Sequence, residues 1–80
     1  MDLILYTRRD CELCAEMESV LDEVLPRFSS ARLRRVKIDG DGALEAQFGL
    51  EVPVLFVNGR KAFKYRCTVR ELRKRLEREK

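Results

Sequence analysis

Two short apolar runs limit what this chain can fold into. Residues 3–6 and 52–57 are apolar throughout, without the alternation of a strand that has one exposed face. Both runs are too short to cross a membrane, and continuously apolar strands are typical of a sheet that helices cover on both sides. We therefore predict one α/β domain over residues 1–80, the full length of the chain.

Periodicity and turn residues locate the other elements. Apolar side chains recur at helical spacing over residues 13–24, and Pro26 ends that helix. Residues 33–38 and 61–66 are predicted strands rich in Arg and Lys, which is typical of sheet edges that must resist aggregation. Asn58-Gly59 between the last two strands predicts a tight hairpin.

Capping residues define two further helices. Asp41 precedes a short helix that carries Leu44 and Phe48 on one face. Gly49 followed by Leu50 predicts a left-handed end to that helix with an apolar contact. A capping box and an apolar stripe mark the last helix. Its defining residues are Thr68, Glu71, Val69, Leu72 and Leu76.

The order of the elements along the chain, β-α-β-α-β-β-α, sets the topology. Right-handed crossovers predict that the first three strands are parallel, and the hairpin makes the fourth antiparallel. The two apolar strands belong at the centre of the sheet and the two basic strands at its edges. The prediction is a four-stranded mixed sheet of order 2-1-3-4 with helices on both faces.

Cys11 and Cys14 stand where the first apolar run ends and the first helical pattern begins. A Cys-x-x-Cys pair at a strand–helix junction is typical of dithiol–disulfide exchange. Three cysteines are too few for a secreted domain that is stabilised by several disulfides. The small ring that Cys11 and Cys14 would close stabilises a fold little and is better suited to reversible oxidation and reduction. The alternative is a pair of reduced, structural cysteines or a site that has lost its activity.

Exchange chemistry requires the Cys11 thiol to ionise near neutral pH, because the thiolate is the nucleophile. A helix start favours the thiolate through its unpaired N–H groups and the positive end of its dipole. Arg8 and Arg9 add positive charge, whereas Asp10 and Glu12 oppose it. We expect the two acids to tilt the site toward a reductant.

The segments LYTRRDCELC and EVPVLFVNGR, with the charged terminal helix, resemble the glutaredoxin-like branch of the thioredoxin superfamily over essentially the whole chain. The resemblance implies a thioredoxin-like fold and a thiol–disulfide oxidoreductase, in which Cys11 attacks the substrate and Cys14 resolves the mixed disulfide. It also implies a cis peptide bond at Val52-Pro53, facing the thiols. The Val52 backbone would then pair with an extended substrate.

The same resemblance makes other residues near the cysteines candidate substrate contacts. Thr7 and Arg8 lie beside the site, and in glutaredoxins a basic residue matching Arg8 contacts the glutathione carboxylate. Glu12 and Leu13 stand where glutaredoxins have a Pro-aromatic pair, and residues 66–68 replace the Gly-Gly segment that holds glutathione. Dithiol exchange with a disulfide-containing protein or small molecule is implied, without a tightly bound cofactor. Glutathione and a thioredoxin reductase are the alternative electron donors.

A binding module is the second class of function that the sequence allows. The end of the chain is basic, and such a surface fits a nucleic acid or an acidic partner. Its cations are Arg66, Arg70, Arg73, Lys74, Arg75, Arg78 and Lys80. Glu71 and Glu79 flank Arg75 at the i,i+4 spacing of helical ion pairs, which favours a solvated, ion-paired face. We therefore expect no nucleic-acid partner.

The sequence also bears on metal binding and on cellular location. A Cys-x-x-Cys pair is half of a zinc site, but the chain has no histidine and only Cys67 besides, so no metal residue is predicted. A subunit-bridging iron–sulfur cluster stays an alternative, and Cys67 is expected to be passive. Asp2 and the short first apolar run do not resemble a signal peptide. We expect a cytoplasmic monomer with no membrane segment.

Overall fold

Four strands and three helices alternate along the chain in the predicted order. The computed structural model describes residues 1–80. Its elements are β1 Asp2–Thr7, α1 Glu12–Val24, β2 Arg32–Lys37, α2 Gly42–Phe48, β3 Val54–Val57, β4 Arg60–Lys64 and α3 Val69–Glu77. A short 3-10 helix, Leu25–Arg27, follows α1 and contains Pro26, which ends the longer helix as predicted. No helix is long and apolar enough to cross a membrane.

The strands form one sheet of order β2-β1-β3-β4, which confirms the predicted order and the basic edge strands. One direction was predicted wrongly. β2 is parallel to β1, but β3 is antiparallel to it. The reason is the length of α2, whose seven residues rise only about 10 Å, whereas six-residue β2 spans about 20 Å. The chain is not carried back to the start of β1, and it re-enters the sheet where β1 ends.

The larger part of the core lies between the sheet and the helices α1 and α3. Alternate residues of β1, Leu3 and Leu5, face this side and are buried. This buried cluster joins β1, α1 and α3 to β3 and to the segment before α3. Its buried members are Leu3, Leu5, Met17, Leu21, Val24, Phe28, Leu55, Val57, Cys67, Leu72 and Leu76. This face therefore holds most of the apolar area that stabilises the fold.

The opposite face of the sheet is covered by α2 alone. Phe48 of α2 stacks on Tyr6 of β1 with 4.4 Å between ring centroids, and Phe56 of β3 meets both rings edge-on. Only Ile38, Phe48 and Val54 are buried in this cluster. Because α2 is short, Ile4 on the same face of β1 stays half-buried. The expectation that this strand is fully covered on both faces is thus wrong for one face.

Three local signals in the sequence are confirmed. Asn58 and Gly59 have φ angles of 48° and 81°, as the tight hairpin between β3 and β4 requires. The Asp41 carboxylate accepts the N–H of Leu44 at 3.1 Å and caps α2. The capping box at the start of α3 is complete.

The predicted end of α2 is wrong. Gly49 has a right-handed φ of −54°, and Leu50 is 92% exposed instead of packing back on the helix. The glycine is required for a different reason. A Cβ atom there would clash with the carbonyl oxygen of Glu45 and lie 3.3 Å from the guanidinium of Arg8. Close approach of the Glu45 carbonyl oxygen and of the Arg8 side chain, and not a positive φ, selects glycine at this position.

Candidate active site

Cys11 lies at the junction between β1 and α1. The intervening loop contains Asp10 at a φ of 51° and is held by the Arg9 N–H, which donates to the Asp39 carboxylate at 3.1 Å. Cys11 has extended backbone angles and is the N-cap residue of α1. Its sulfur accepts the backbone N–H of Cys14 at 3.2 Å. The sulfur therefore occupies the place that a capping oxygen usually takes, where it satisfies an N–H of the first turn.

Cys11 and Cys14 form a disulfide, with their Cα atoms 5.2 Å apart. The two cysteines differ in access. Cys11 is half-buried, whereas Cys14 is only 4% exposed. An incoming sulfur can therefore reach Cys11 from solvent, while Cys14 is shielded behind it. The separate roles that the resemblance implies for the two thiols stay a prediction.

A shallow groove of about 330 Å³ opens at the cysteines. It brings together four of the predicted site residues, Thr7, Arg8, Cys11 and Cys14. The other residues that line it are Arg9, Asp10, Ala15, Glu18 and Lys37. Sequence reasoning missed Lys37, which pairs with Thr7 at the end of parallel β2. The predicted sheet order contained that signal, because the ends of two parallel neighbouring strands meet at one edge of the sheet.

Arg8 is engaged with α2. Its guanidinium forms an ion pair with the Glu45 carboxylate and donates to the Gly49 carbonyl oxygen at 3.2 Å. Its Nε is buried and has no hydrogen-bond partner. The positive charge expected to serve a substrate is thus compensated within the chain. Sequence reasoning did not identify Glu45, which no periodic pattern links to Arg8.

The remaining predicted contacts lie outside the groove. Glu12 is exposed and Leu13 half-buried on the first turn of α1. The Val52-Pro53 peptide bond is cis. Since Val54 pairs with Tyr6, the register continues toward Pro53 beside Thr7, at the same edge of the sheet as Cys11. The binding roles of these residues stay predictions.

The backbone of Val52 is only partly free. Its N–H donates to the Phe48 carbonyl at 3.1 Å, while its own carbonyl oxygen accepts no hydrogen bond. Of the two groups that could pair with an extended substrate, one is therefore already used. The carbonyl is the group that remains available.

Cys67 lies in the main core, away from the groove. Its thiol donates to the Met17 sulfur at 3.3 Å and is 8% exposed. Burial, with a smaller effect of the Glu71 charge, raises the pKa of Cys67 to about 11. At neutral pH this thiol is protonated and poorly nucleophilic, which supports the expectation that it is passive.

Comparison with known proteins gives the same fold and a family. The chain is similar to protein XcR50 of X. campestris, a structural-genomics target, with 35% identity, a TM-score of 0.81, and coverage of 95% of this chain and 96% of that one. Thioredoxin 1 from Thermosipho africanus is 14% identical with a TM-score of 0.69, over 99% of this chain and 93% of that one. Oxidised thioredoxin O2 from Arabidopsis thaliana is 23% identical with a TM-score of 0.68, over 96% and 72%. The two thioredoxins establish the fold alone.

No curated protein matches the chain significantly. The family model described as Glutaredoxin-like domain (DUF836) matches residues 2–77, nearly the whole sequence. A thioredoxin-like fold with a Cys-x-x-Cys pair at the start of its first helix supports a function of the redox type. The chain belongs to the Glutaredoxin-like domain family (DUF836).

Proposed function

We propose that this protein is a dithiol–disulfide oxidoreductase in which Cys11 is the nucleophile and Cys14 the resolving thiol. One observation carries the proposal. The half-buried Cys11 sulfur caps α1 and accepts the Cys14 N–H, while Cys14 itself is buried one turn further on. A helix N-terminus favours a thiolate at that place. The accessible sulfur is therefore also the one whose anion the helix stabilises.

The proposed reaction consists of two exchanges. The Cys11 thiolate attacks one sulfur of a substrate disulfide, forms a mixed disulfide and expels the other substrate sulfur as a thiolate. Cys14, after losing its proton to solvent, attacks the Cys11 sulfur and expels the second substrate thiolate. Two electrons pass to the substrate, and the protein is left with the Cys11–Cys14 disulfide seen here. A thiol donor, either glutathione or a thioredoxin reductase, restores the dithiol.

The residues around the cysteines would position the substrate. The free carbonyl of Val52 is available to accept an N–H from an extended substrate strand. Thr7 and Lys37 line the groove at the cysteines and would contact the substrate there. Proteins and small molecules with disulfides are both candidate substrates. The protein is proposed to act as a monomer in the cytoplasm, because a reducing compartment regenerates dithiols.

Turnover of a model disulfide tests the proposal directly. Reduction of hydroxyethyl disulfide or of insulin is measured through the consumption of NADPH. One assay contains glutathione and glutathione reductase, and the other contains thioredoxin reductase. We expect Cys11→Ser to lose activity at least about 100-fold. Cys67→Ser is the matched control and keeps it within about twofold, because that thiol is buried outside the groove. Equal activity of the wild type and Cys11→Ser would end the proposal.

The roles of the two thiols have a separate readout. Cys14→Ser removes the second exchange and leaves the first intact, so it should accumulate a mixed disulfide between Cys11 and the substrate. Mass spectrometry of the non-reduced protein detects that adduct by its added mass. The assignment would be reversed if Cys11→Ser formed an adduct on Cys14 while Cys14→Ser formed none on Cys11.

A further inference from the structure

The net positive charge of this protein comes from its C-terminal end. The whole chain has 17 Lys and Arg against 14 Asp and Glu. Residues 69–80 contain six of these cations and three of the anions, which equals the entire net charge of +3, while residues 1–68 are balanced at eleven each. The charge asymmetry therefore belongs to α3 and the three residues after it.

The cations of α3 are less paired than their spacing suggests. Arg75 does bind Glu79 at 2.6 Å, and Asn58 also donates to that carboxylate. Glu71, the other expected partner of Arg75, instead accepts the Thr68 N–H in the capping box. Five cations of residues 69–80 have no ion-pair partner within the chain. They are Arg70, Arg73, Lys74, Arg78 and Lys80.

Two of these unpaired cations border a groove between α3 and the edge of the sheet. The groove has a volume of about 760 Å³. Lys74 and Arg78 lie on its helix side, and Ala62 and Phe63 of β4 form an apolar base that packs against the main core. The acids of the lining are Glu77 and Glu71, of which Glu71 accepts the Thr68 N–H. Four cations and these two acids line the groove. The lining therefore combines an apolar base with a net positive wall.

The other side of the groove is an unpaired strand edge. β4 bonds to β3 on one side only, and its outer side carries free backbone groups that can pair with an added strand. Arg60 and Lys64, which have no ion-pair partner, make this edge basic, whereas Lys61 is paired with Glu51. Two copies of the chain would repel each other along it, which argues against self-pairing and for a partner of opposite charge.

We infer that the groove between β4 and α3 binds an extended acidic polypeptide. The segment adds as a strand to β4 and sets its carboxylates against Lys74 and Arg78. A nucleic acid fits the same groove less well. Phe63 is half-buried in the base of the groove, so it offers less ring surface for a nucleic-acid base to stack on. This surface is separate from the cysteines and does not depend on their chemistry.

A direct binding measurement tests the inference. The probe is a fluorescein-labelled peptide of about eight residues alternating Glu and Val, a usual strand length. Its anisotropy is titrated with the full oxidised chain. We expect saturable binding that weakens with salt, and amide shift changes in NMR spectra that centre on β4. A Lys–Val peptide should not bind, and an oligonucleotide of equal charge should bind at least about tenfold more weakly.

Matched variants decide whether the site is the predicted one. Lys74→Glu combined with Arg78→Glu should raise the peptide Kd at least about tenfold, because two attractive cations are replaced by carboxylates that repel the acidic peptide. Arg32→Glu with Arg34→Glu makes the same charge change on the other edge strand, β2, and should leave Kd within about twofold. Equal losses in the two double variants would reduce the effect to overall charge and overturn the inference. An oligonucleotide that binds as tightly as the peptide would overturn it too.

A backbone probe tests strand addition itself. The same peptide N-methylated at every backbone amide keeps its charges but cannot donate hydrogen bonds to the β4 edge in either strand direction. We expect its affinity to fall at least about tenfold. Unchanged affinity would show that no strand is added to β4, and would overturn the proposed mode of binding.

Discussion

The two faces of the sheet are covered in different ways. On one face, α1 and α3 close over an eleven-residue buried cluster. On the other, α2 covers a cluster of three buried residues and is held largely by polar contacts. Its Glu45 pairs with Arg8, and the loop after it contributes Glu51, which binds Lys61 at 2.6 Å, and the Leu50 carbonyl, which accepts the Tyr65 hydroxyl at 3.0 Å.

Most of the free energy of unfolding therefore comes from one face of the sheet, whereas the loop before Cys11 is contacted from the other face. Apolar burial on the α1–α3 face is worth several kcal/mol per large side chain. Partly exposed ion pairs on the α2 face contribute on the order of 1 kcal/mol or less each. Yet it is the α2 face that contacts the loop before Cys11, through Arg8. Local change near the site is therefore expected to cost little global stability.

The largest expected effect tests the α1–α3 face. Leu72→Ala removes a fully buried side chain that joins α3 to the core. The free energy of unfolding, measured by urea denaturation, should fall by about 2–5 kcal/mol, from lost burial and the cavity left behind.

Leu44→Ala makes the same change on α2 and is the matched control. Leu44 is only half-buried, so the loss there should be about 1–2 kcal/mol. Similar losses at the two leucines would contradict the division between the faces.

The second prediction concerns pH and the buried thiol on the same face. Burial raises the pKa of Cys67 from 9.0 to about 11. Between those pH values the unfolded chain loses this proton and the folded chain keeps it, so the free energy of unfolding falls as pH rises through the window. We expect the oxidised wild type to lose on the order of 1–2 kcal/mol more than oxidised Cys67→Ala between pH 9 and 11. Parallel pH profiles of the two proteins would show that the folded thiol titrates normally.

What could be predicted from the sequence follows the same division. Strand order was predictable, because the apolar runs and the Arg-rich strands differ in composition. The direction of β3 was not, since it depends on how far α2 carries the chain in space and not on any residue pattern. The Arg8–Glu45 pair was also beyond prediction. It joins side chains 37 positions apart, and a long-range ion pair leaves no periodic signal.

The candidate site divides in the same way. The place of Cys11 at a helix start was predictable, because the cysteine pair lies between a strand pattern and a helical stripe. The occupied N–H of Val52 was not, because it depends on how α2 turns into β3. Local chemistry is visible in the sequence, whereas the availability of each group depends on tertiary contacts.

The third prediction compares two helix caps. Thr68→Ala removes the capping box of α3 and should lower the free energy of global unfolding by about 1 kcal/mol. Asp41→Ala removes the equivalent contact of α2. Because α2 is expected to open without unfolding the sheet, the global loss there should stay below about 0.5 kcal/mol, while amide exchange quickens across α2. Equal global losses would mean that both faces unfold as one unit.

The smallest effect on stability, and the most informative about the site, is expected from Glu45→Gln. Both partners of the Arg8–Glu45 pair are more than a third exposed, so its loss should cost under about 1 kcal/mol. The change leaves the Arg8 guanidinium without its carboxylate but still bonded to the Gly49 carbonyl. If the proposed activity holds, a disulfide substrate that carries carboxylates, such as oxidised glutathione, can then pair with Arg8.

The kinetic form of that prediction is specific. Glu45→Gln should lower KM for oxidised glutathione about three- to tenfold and leave kcat unchanged, since the new contact acts on binding and not on sulfur exchange. KM for uncharged hydroxyethyl disulfide should not change. Glu51→Gln is the matched control, because it frees Lys61 of β4 instead of a residue of the groove at the cysteines. A fall in kcat with both substrates would mean that the Arg8–Glu45 pair positions the loop for catalysis, and that the α2 face supports the site instead of restricting its substrates.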